Sequence, residues 1–361
     1  MLNTMTQMEY KKIVIVTDAW IPQVNGVVQT LTQVIDQLNK KGNIIEVIHP
    51  AQFNTIPCPS YPEIRLALFP RQKILKRIES FRPDHIHIAT EGPLGISTWR
   101  ICSRKKWCFT TAFHTQFPEY IHQRYGIPLA WTYALMRKFH NKSSGTLVAT
   151  SSVAENLRAR GLLKIRMWCR GVDTQVFKPF EEQTCDFERP IHLYVGRVAI
   201  EKSIEDFLSL PLKGSKVVVG DGPDLKRLQK LFPATHFLGV LKGESLARQF
   251  SGADVFVFPS KTDTFGLVML EAMACGTPVA AYPVQGPLDV LTNPKAGIMD
   301  ENLALAIERA LQLKSEDAES FAHQFSWEQC AMRFKDYLVD VQVLSSKSQE
   351  LCIRNLQGVF Q

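Results

Sequence analysis

The sequence predicts an α/β protein made of two doubly wound parallel sheets in succession, facing each other across a cleft. Three observations predict it. Short β-branched runs alternate with amphipathic stretches of helix length, the alternation pauses in a polar, acidic stretch between Phe177 and Pro190, and it then restarts from the beginning. The 361 residues also suit two domains of ~150 residues each.

Lys11–Val16 is β-branched and of strand length, and Thr17-Asp18 and a glycine-containing loop, Pro22–Gly26, follow it. Apolar residues then recur at helical spacing (Val27, Leu31, Val34, Ile35, Leu38) up to Gly42, a residue free to take φ > 0 and so to end a helix. Ile44–Ile48 is the next strand. Strand, helix and strand within about 40 residues form a βαβ unit, whose parallel crossover places helices against the sheet. Asp84–Ile88, Trp107–Thr111 and Thr146–Thr150 read as further strands and residues 130–140 as a helix; Ser152 can cap a helix Val153–Arg160 that Gly161 closes. In the second half Ile191–Val195, Lys216–Val219, Asp254–Phe258 and Pro278–Ala281 read as strands. A helix running to Leu231 and Leu267–Ala274 accompany them, and residues 326–344 form a closing amphipathic helix with Trp327, Phe334, Tyr337 and Leu338. The domains are accordingly 1–180, 181–325 and a closing segment 326–361.

Composition excludes several classes. Hydrophobic residues make up 45% and charged residues 21%, as in ordinary soluble proteins. No run approaches the ~18 apolar residues of a bilayer-spanning helix, and Met1–Tyr10 lacks the apolar core of a secretory signal. The eight cysteines (58, 102, 108, 169, 185, 275, 330 and 352) form no C-x-x-C pair, so reduced cytosolic thiols fit better than a zinc ribbon or a disulfide framework. Residues 1–180 carry 24 Lys and Arg against 11 Asp and Glu, a net +13, while residues 181–361 are −6. A basic half suggests an anionic partner.

Ligands of open parallel sheets bind at the carboxyl ends of strands, so the residues there are the candidates. They are Asp18, Asn25 and Gly26 after the first strand and Arg197 and Lys202 after Ile191–Val195. Ser260, Lys261, Asp263, Phe265, Gly266 and, on the helix, Glu271 follow Asp254–Phe258. Two cations, glycine-lined loops and a helix start suit a phosphorylated ligand, and buried carboxylates suit sugar hydroxyls as donors. Gly220-Asp221-Gly222-Pro223 lacks the third glycine of a dinucleotide fingerprint, so a nicotinamide or flavin site is poorly supported.

The run Pro259 to Val279, taken whole, resembles the E-x7-E segment of glycosyltransferase family 4, the retaining family with the GT-B fold. Asp263 stands where that pattern has its first Glu, and Glu271 where it has its second. Thr17-Asp18-x3-Pro22-x2-Asn25-Gly26-Val27, Gly196-Arg197-x4-Lys202, Gly220-x-Gly222-Pro223 and Gly171-Val172-Asp173-x3-Phe177-x-Pro179 extend the resemblance along nearly the whole chain. Phe113-His114-Thr115-Gln116-Phe117-Pro118-x-Tyr120 and Trp168-x-Arg170-Gly171 are most similar to a branch of mannosyltransferases and sulfoquinovosyl- or glucosyl-diacylglycerol synthases.

The resemblance implies the roles. Arg197 and Lys202 hold the donor diphosphate and neutralise its departure, so neither metal nor cofactor is required. The Gly266–Leu267 backbone, beside Phe265, adds N–H donors; Glu271 takes the ribose hydroxyls and Asp263 those of the sugar; Gly26 leaves room for the phosphate. Asn25, Glu91 and His114 are placed on the acceptor side, His114 also beside the donor sugar. The expected protein is a metal-independent hexosyltransferase using a UDP- or GDP-sugar. Its expected place is peripheral, on the inner face of the cytoplasmic membrane, where cations and aromatics such as Trp99, Arg100, Arg104, Lys105, Lys106, Trp107 and Trp131 meet anionic lipid. No nucleic-acid motif accompanies them. A soluble or polysaccharide acceptor, and a non-catalytic nucleotide-sugar-binding protein, are the alternatives.

Overall fold

The computed structural model describes residues 10–23, 25–58, 61–114, 117–181, 187–263 and 265–341. In chain order the first half contains β1 (Lys12–Val16), α1 (Gly26–Lys40), β2 (Ile44–Ile48), the antiparallel pair β3 (Thr55–Cys58) and β4 (Tyr61–Ala67), α2 (Arg71–Phe81), β5 (His85–Ile88), α3 (Pro93–Lys105), β6 (Thr110–Phe113), α4 (Phe117–Tyr125), α5 (Leu129–His140), β7 (Gly145–Val148), α6 (Ser151–Ala159) and β8 (Ile165–Met167). The second half contains β9 (Ile191–Val195), α7 (Ile204–Leu208), β10 (Ser215–Val219), α8 (Leu225–Leu231), β11 (His236–Gly239), α9 (Gly243–Gly252), β12 (Val255–Phe258), α10 (Leu267–Ala274), β13 (Val279–Ala281), α11 (Pro287–Val290), β14 (Gly297–Met299), α12 (Leu303–Ala310), α13 (Ser315–Ala322) and α14 (Trp327–Tyr337).

Each half is a six-stranded parallel sheet, ordered β2-β1-β5-β6-β7-β8 and β11-β10-β9-β12-β13-β14. Where helices cover both faces a strand reads as a continuous apolar run, as β12 does, buried at every position. Strand order reverses between β1 and β5 and again between β9 and β12. At such reversals the loops leave in opposite directions and open a crevice beyond the carboxyl ends of the strands. The two crevices face each other. Gln29 of α1 donates to Glu271 of α10 at 2.5 Å, and a Cβ on Gly26 would stand 3.7 Å from Leu267 Cδ1.

The closing helix is amphipathic, and its buried residues Trp327, Cys330, Ala331 and Phe334 recur at helical spacing. They pack with Leu31, Val34 and Leu38 of α1 and with Trp168, so the end of the chain completes the core of the first half. The chain crosses between the halves a second time beside the first crossing. Val172 N–H donates to Phe325 O at 3.1 Å, and a Cβ on Gly171 would come within 2.3 Å of Trp327 N.

Three sequence expectations are corrected. The strand expected at Trp107–Thr111 runs from Thr110 to Phe113, because Lys106 at φ 55° ends α3 and Trp107 N–H still bonds to Cys102 O of that helix. The helix expected over 326–344 stops at Tyr337; beyond it the chain turns extended, and Val341 N–H donates to Asp84 O, while residues past 341 lie outside the described part. Ser152 does not cap α6: Thr150 takes the cap position, and Ser151 and Ser152 donate their hydroxyls to Asp289 of α11, across the halves. The β3–β4 pair, an insertion after β2, and the strands β8, β11 and β14 have no counterpart among the sequence expectations.

Candidate active site

The loop after β9 carries both cations. Gly196 takes φ 154°, Arg197 follows half-buried, and its carbonyl accepts from the Tyr194 hydroxyl at 2.9 Å. Gly220 and Gly222 hold this loop from the next one. A Cβ on Gly220 would lie 1.9 Å from Gly196 O and one on Gly222 2.3 Å from Val198 O, while Val198 N–H donates to Asp221 O at 2.9 Å. These glycines therefore serve backbone-to-backbone packing that fixes the Arg197 loop. Lys202 ends a short 3-10 turn, Ile200–Lys202.

The loop after β12 faces that turn. Thr262 Oγ1 donates to Glu201 O at 3.2 Å, and Lys202 Nζ meets Asp263 Oδ1 at 2.5 Å, both side chains about a quarter exposed. Two residues that the resemblance assigned to different parts of a donor thus form one ion pair. Gly266, at φ 83°, caps α10; a Cβ there would collide with Met269 and Phe258. Gly266 has no side chain to cap the first N–H groups of α10, and a helix start left open in this way attracts a phosphate. Phe265 and Leu267 are themselves buried, so only their backbone is offered to a ligand.

Glu271, one turn into α10, is buried. Burial pushes its carboxyl up to about 7, against the opposing effect of the Gln29 amide. Gln29 is a site residue that sequence reasoning missed. Its partner is 242 positions away, and nothing local marks it beyond its place one turn after Gly26.

The first-half candidates have other duties. Asn25 is the N-cap of α1, its Oδ1 accepting from Val27 and Val28 N–H. Asp18 accepts from Leu94 and Gly95 N–H and from the Thr90 hydroxyl, so it caps α3 at the switch point; burial nevertheless lifts its carboxyl to about 6. Gly92 is required beside it, because a Cβ there would stand 2.4 Å from Asp18 Cγ. Glu91 pairs with buried His140 at 3.1 Å, and His140 Nδ1 meets Thr111 Oγ1 at 3.0 Å.

His114 follows β6; Thr115 and Gln116 of its motif, like Thr264, lie outside the described residues. Arg170, buried and stacked on Trp168, points an Nη2 at His114 Nδ1, 3.3 Å away. A guanidinium only donates, so Nδ1 is the acceptor and a neutral His114 carries its proton on Nε2. Burial first, then Arg170 and His87, hold its pKa well below the ordinary value. The geometry makes His114 a neutral hydrogen-bond donor. Arg170 stood out in the sequence as part of a motif, but its contact with His114 joins segments 56 positions apart. Among the described residues, no three His, Cys, Asp or Glu side chains gather as a metal site.

The arrangement as a whole offers cations and helix N–H groups for phosphates, a buried carboxyl for hydroxyls and, opposite, a neutral imidazole. Comparison with known proteins agrees. Residues 24–176 match the family model Glycosyltransferase Family 4, and residues 178–326 match Glycosyl transferases group 1. GDP-mannose-dependent alpha-mannosyltransferase of Mycobacterium tuberculosis is 30% identical over 317 residues, 80% of this chain and 83% of that protein. Alpha-monoglucosyldiacylglycerol synthase of Streptococcus pneumoniae is 24% identical over 390 residues, 94% of this chain and 88% of the other. The structure of Anabaena HepE in complex with UDP and glucose superposes with a TM-score of 0.67 at 15% identity, covering 91% and 99% of the two chains.

Proposed function

The chain belongs to the family 4 glycosyltransferases and has their GT-B fold, and from that premise we propose that it moves a hexose, with retention, from a nucleotide-diphosphate sugar to a hydroxyl of a membrane lipid. The observation that carries the reading is the second switch point, where the loop bearing Arg197 and Lys202 meets the loop of Asp263 that leads into α10 and its buried Glu271. In this reading residues 181–325 bind the donor and residues 1–180 the acceptor.

The chemistry comes from the groups present. The leaving diphosphate gains charge as the glycosidic bond breaks, and Arg197, Lys202 and the α10 N–H groups stabilise that charge, work for which no metal ion is required. Lys202 exchanges the Asp263 carboxylate for phosphate, which frees Asp263 for sugar hydroxyls. Glu271 accepts from the ribose. His114, neutral, donates from Nε2 to an oxygen of the sugar or acceptor instead of acting as a base. A same-face substitution, in which the leaving phosphate takes the acceptor proton, accounts for retention. The relatives named for diacylglycerol and the net +13 of residues 1–180 support a lipid acceptor on an anionic, cytoplasmic membrane face. Among the described residues, no helix is long and apolar enough to cross a membrane.

Thermal-shift measurements with UDP- and GDP-sugars, followed by product analysis on lipid extracts, test this. A ligand at 100 times its Kd adds ~2.7 kcal/mol of stability. Transfer only to soluble glycans would replace the lipid acceptor, and stabilisation without any transfer or donor hydrolysis would leave a nucleotide-sugar-binding protein.

A further inference from the structure

A lipid acceptor requires that some face of the first half meet the membrane. Helices α2, α3, α5 and α6 form one layer over the first sheet. Ile74 and Ile78 of α2, Leu94 and Ile101 of α3 and Phe139 of α5 share a core with β1 and β5, and Tyr133 and Met136 of α5 share another with Val153 and Leu157 of α6. Each helix ends where the next strand begins, so its N-terminus lies at the carboxyl edge of the sheet, the edge that carries the cleft.

At that edge large apolar side chains stand in solvent. Phe69, two residues before α2, is 98% exposed and Leu68 39%; Ile127, two residues before α5, is 38% and Trp131, in its first turn, 73% exposed, with Leu135 one turn further along α5 at 54%. Phe69 is also held at φ 47°, a left-handed conformation that costs any residue bearing a Cβ. On the outward sides of the same helices Arg71, Lys73, Lys76, Arg100, Arg104 and Lys138 are exposed, and Lys105 pairs with Glu79 at 2.9 Å. Of the tryptophans that the sequence grouped with these cations, Trp131 is exposed and the other two are placed differently. Trp99 is half-buried, donates to Phe139 O at 3.1 Å and stacks on that ring, and Trp107 is half-buried.

We propose that the rim formed by the start of α2 and the start of α5 is a docking surface for an anionic lipid bilayer, with Phe69 and Trp131 entering the interface and the α2 cations Arg71, Lys73 and Lys76 over the headgroups. Apolar anchors beside a cationic face are the two signals that reversible bilayer binding requires. A second copy of the chain would bring the same positive face against itself. Nucleic acid would use the cations and an aromatic but has no use for Leu68, Ile127 and Leu135, which cannot stack. Because the anchors sit at the cleft edge, docking presents the mouth of the cleft to the membrane.

The proposal rests on the lipid-acceptor reading and is tested separately from it. Full-length protein is sedimented with vesicles of phosphatidylcholine alone or mixed with phosphatidylglycerol, at low and high salt. Binding is expected only with the anionic vesicles, and salt should weaken it. Phe69→Ser with Trp131→Ser should lower it about tenfold or more, and reversal of Arg71, Lys73 and Lys76 to Glu about fivefold per residue. Ile44→Ser, 53% exposed on outer strand β2, should change nothing, and all variants should melt as wild type. Vesicles should shift Trp131 emission to the blue, a change that Trp131→Phe abolishes. Equal binding by the double variant, equal binding to neutral vesicles, or a dimer dissolved by Trp131→Ser would overturn the proposal. Transfer to a short-chain soluble acceptor, retained in the non-binding variant, supports it. A wild type that binds vesicles but transfers no sugar leaves the surface standing and removes the function.

Discussion

At the switch point of the second sheet two loops bring a lysine and a carboxylate into contact, the carboxylate three residues before the glycine that caps α10, with an arginine on the same lysine-bearing loop. At the switch point of the first sheet the topology is the same, but the polar groups are spent on the protein itself: Asn25 caps α1 and Asp18 caps α3. One crevice pairs its charges side chain to side chain, Lys202 with Asp263, and the other uses its polar groups to hold its own walls. The difference teaches that a strand-end position supplies opportunity only. Whether a polar side chain there serves a ligand depends on whether a helix N-terminus lies within its reach and takes it first.

The largest effect should therefore come from removing charge on the second side. Arg197→Ala or Lys202→Ala is expected to lower kcat about 10²-fold, the scale for losing a partner of transition-state charge. Asn25→Ser, which keeps the cap, should hold kcat within about threefold. Single-turnover kinetics on purified variants checks both, and EDTA should leave wild-type activity intact. Near-normal turnover in both cation variants would erase the contrast between the two crevices.

Glu271 sharpens the comparison through pH. Ribose hydroxyls donate to its ionised form, and with the carboxyl at about 7 the ionised fraction grows between pH 6 and 8. Nucleotide affinity should rise about tenfold over that range, and Glu271→Gln should flatten the profile in calorimetry. Stability moves the other way. The folded state holds this proton more tightly than the unfolded chain, so the cost of ionising a buried carboxyl is absent below the ordinary value of 4.5 and complete above about 7. Glu271→Gln should raise the melting temperature at pH 8 and leave it unchanged at pH 4.5.

The smallest effect concerns Asp263. Its ion pair with Lys202 is partly exposed, and such pairs contribute at most ~1 kcal/mol. Asp263→Ala should then tighten UDP or GDP by less than about fivefold by releasing Lys202, while transfer slows because the sugar loses a hydrogen-bond acceptor. Weaker nucleotide binding in this variant would mean that the aspartate orders Lys202 instead of competing for it.

How much could be read in the sequence divides in the same way. The donor-side residues lie within two short stretches, 196–202 and 259–271, and each stretch is one strand end with its adjoining loop, so local pattern exposes them. The central strands of both sheets were legible for the same reason, since their β-branched and apolar residues cluster locally, whereas β8, β11 and β14, of three or four residues at or near the sheet edges, are too short to show such a run. Gln29, Arg170 and Asp289 were not legible as partners. Each acts on a residue 242, 56 or about 138 positions away, and a pairing over that distance leaves no periodicity. The α3 end misled for a local reason: Lys106 takes a left-handed conformation usually marked by glycine, and without that mark the apolar pattern starts the strand three residues early.

The placement of α14 bears on the order in which the chain can be completed. Trp168 packs against Phe334 at 5.1 Å between ring centres, His87 against the same ring at 4.8 Å, and the Trp168 indole donates to Cys330 O. Residues 87 and 168 leave the ribosome well before residues 330 and 334. Domains ordinarily fold in the order in which they emerge, but here the earlier half waits with an open core while the later half is translated and folds. The half made first is the half finished last.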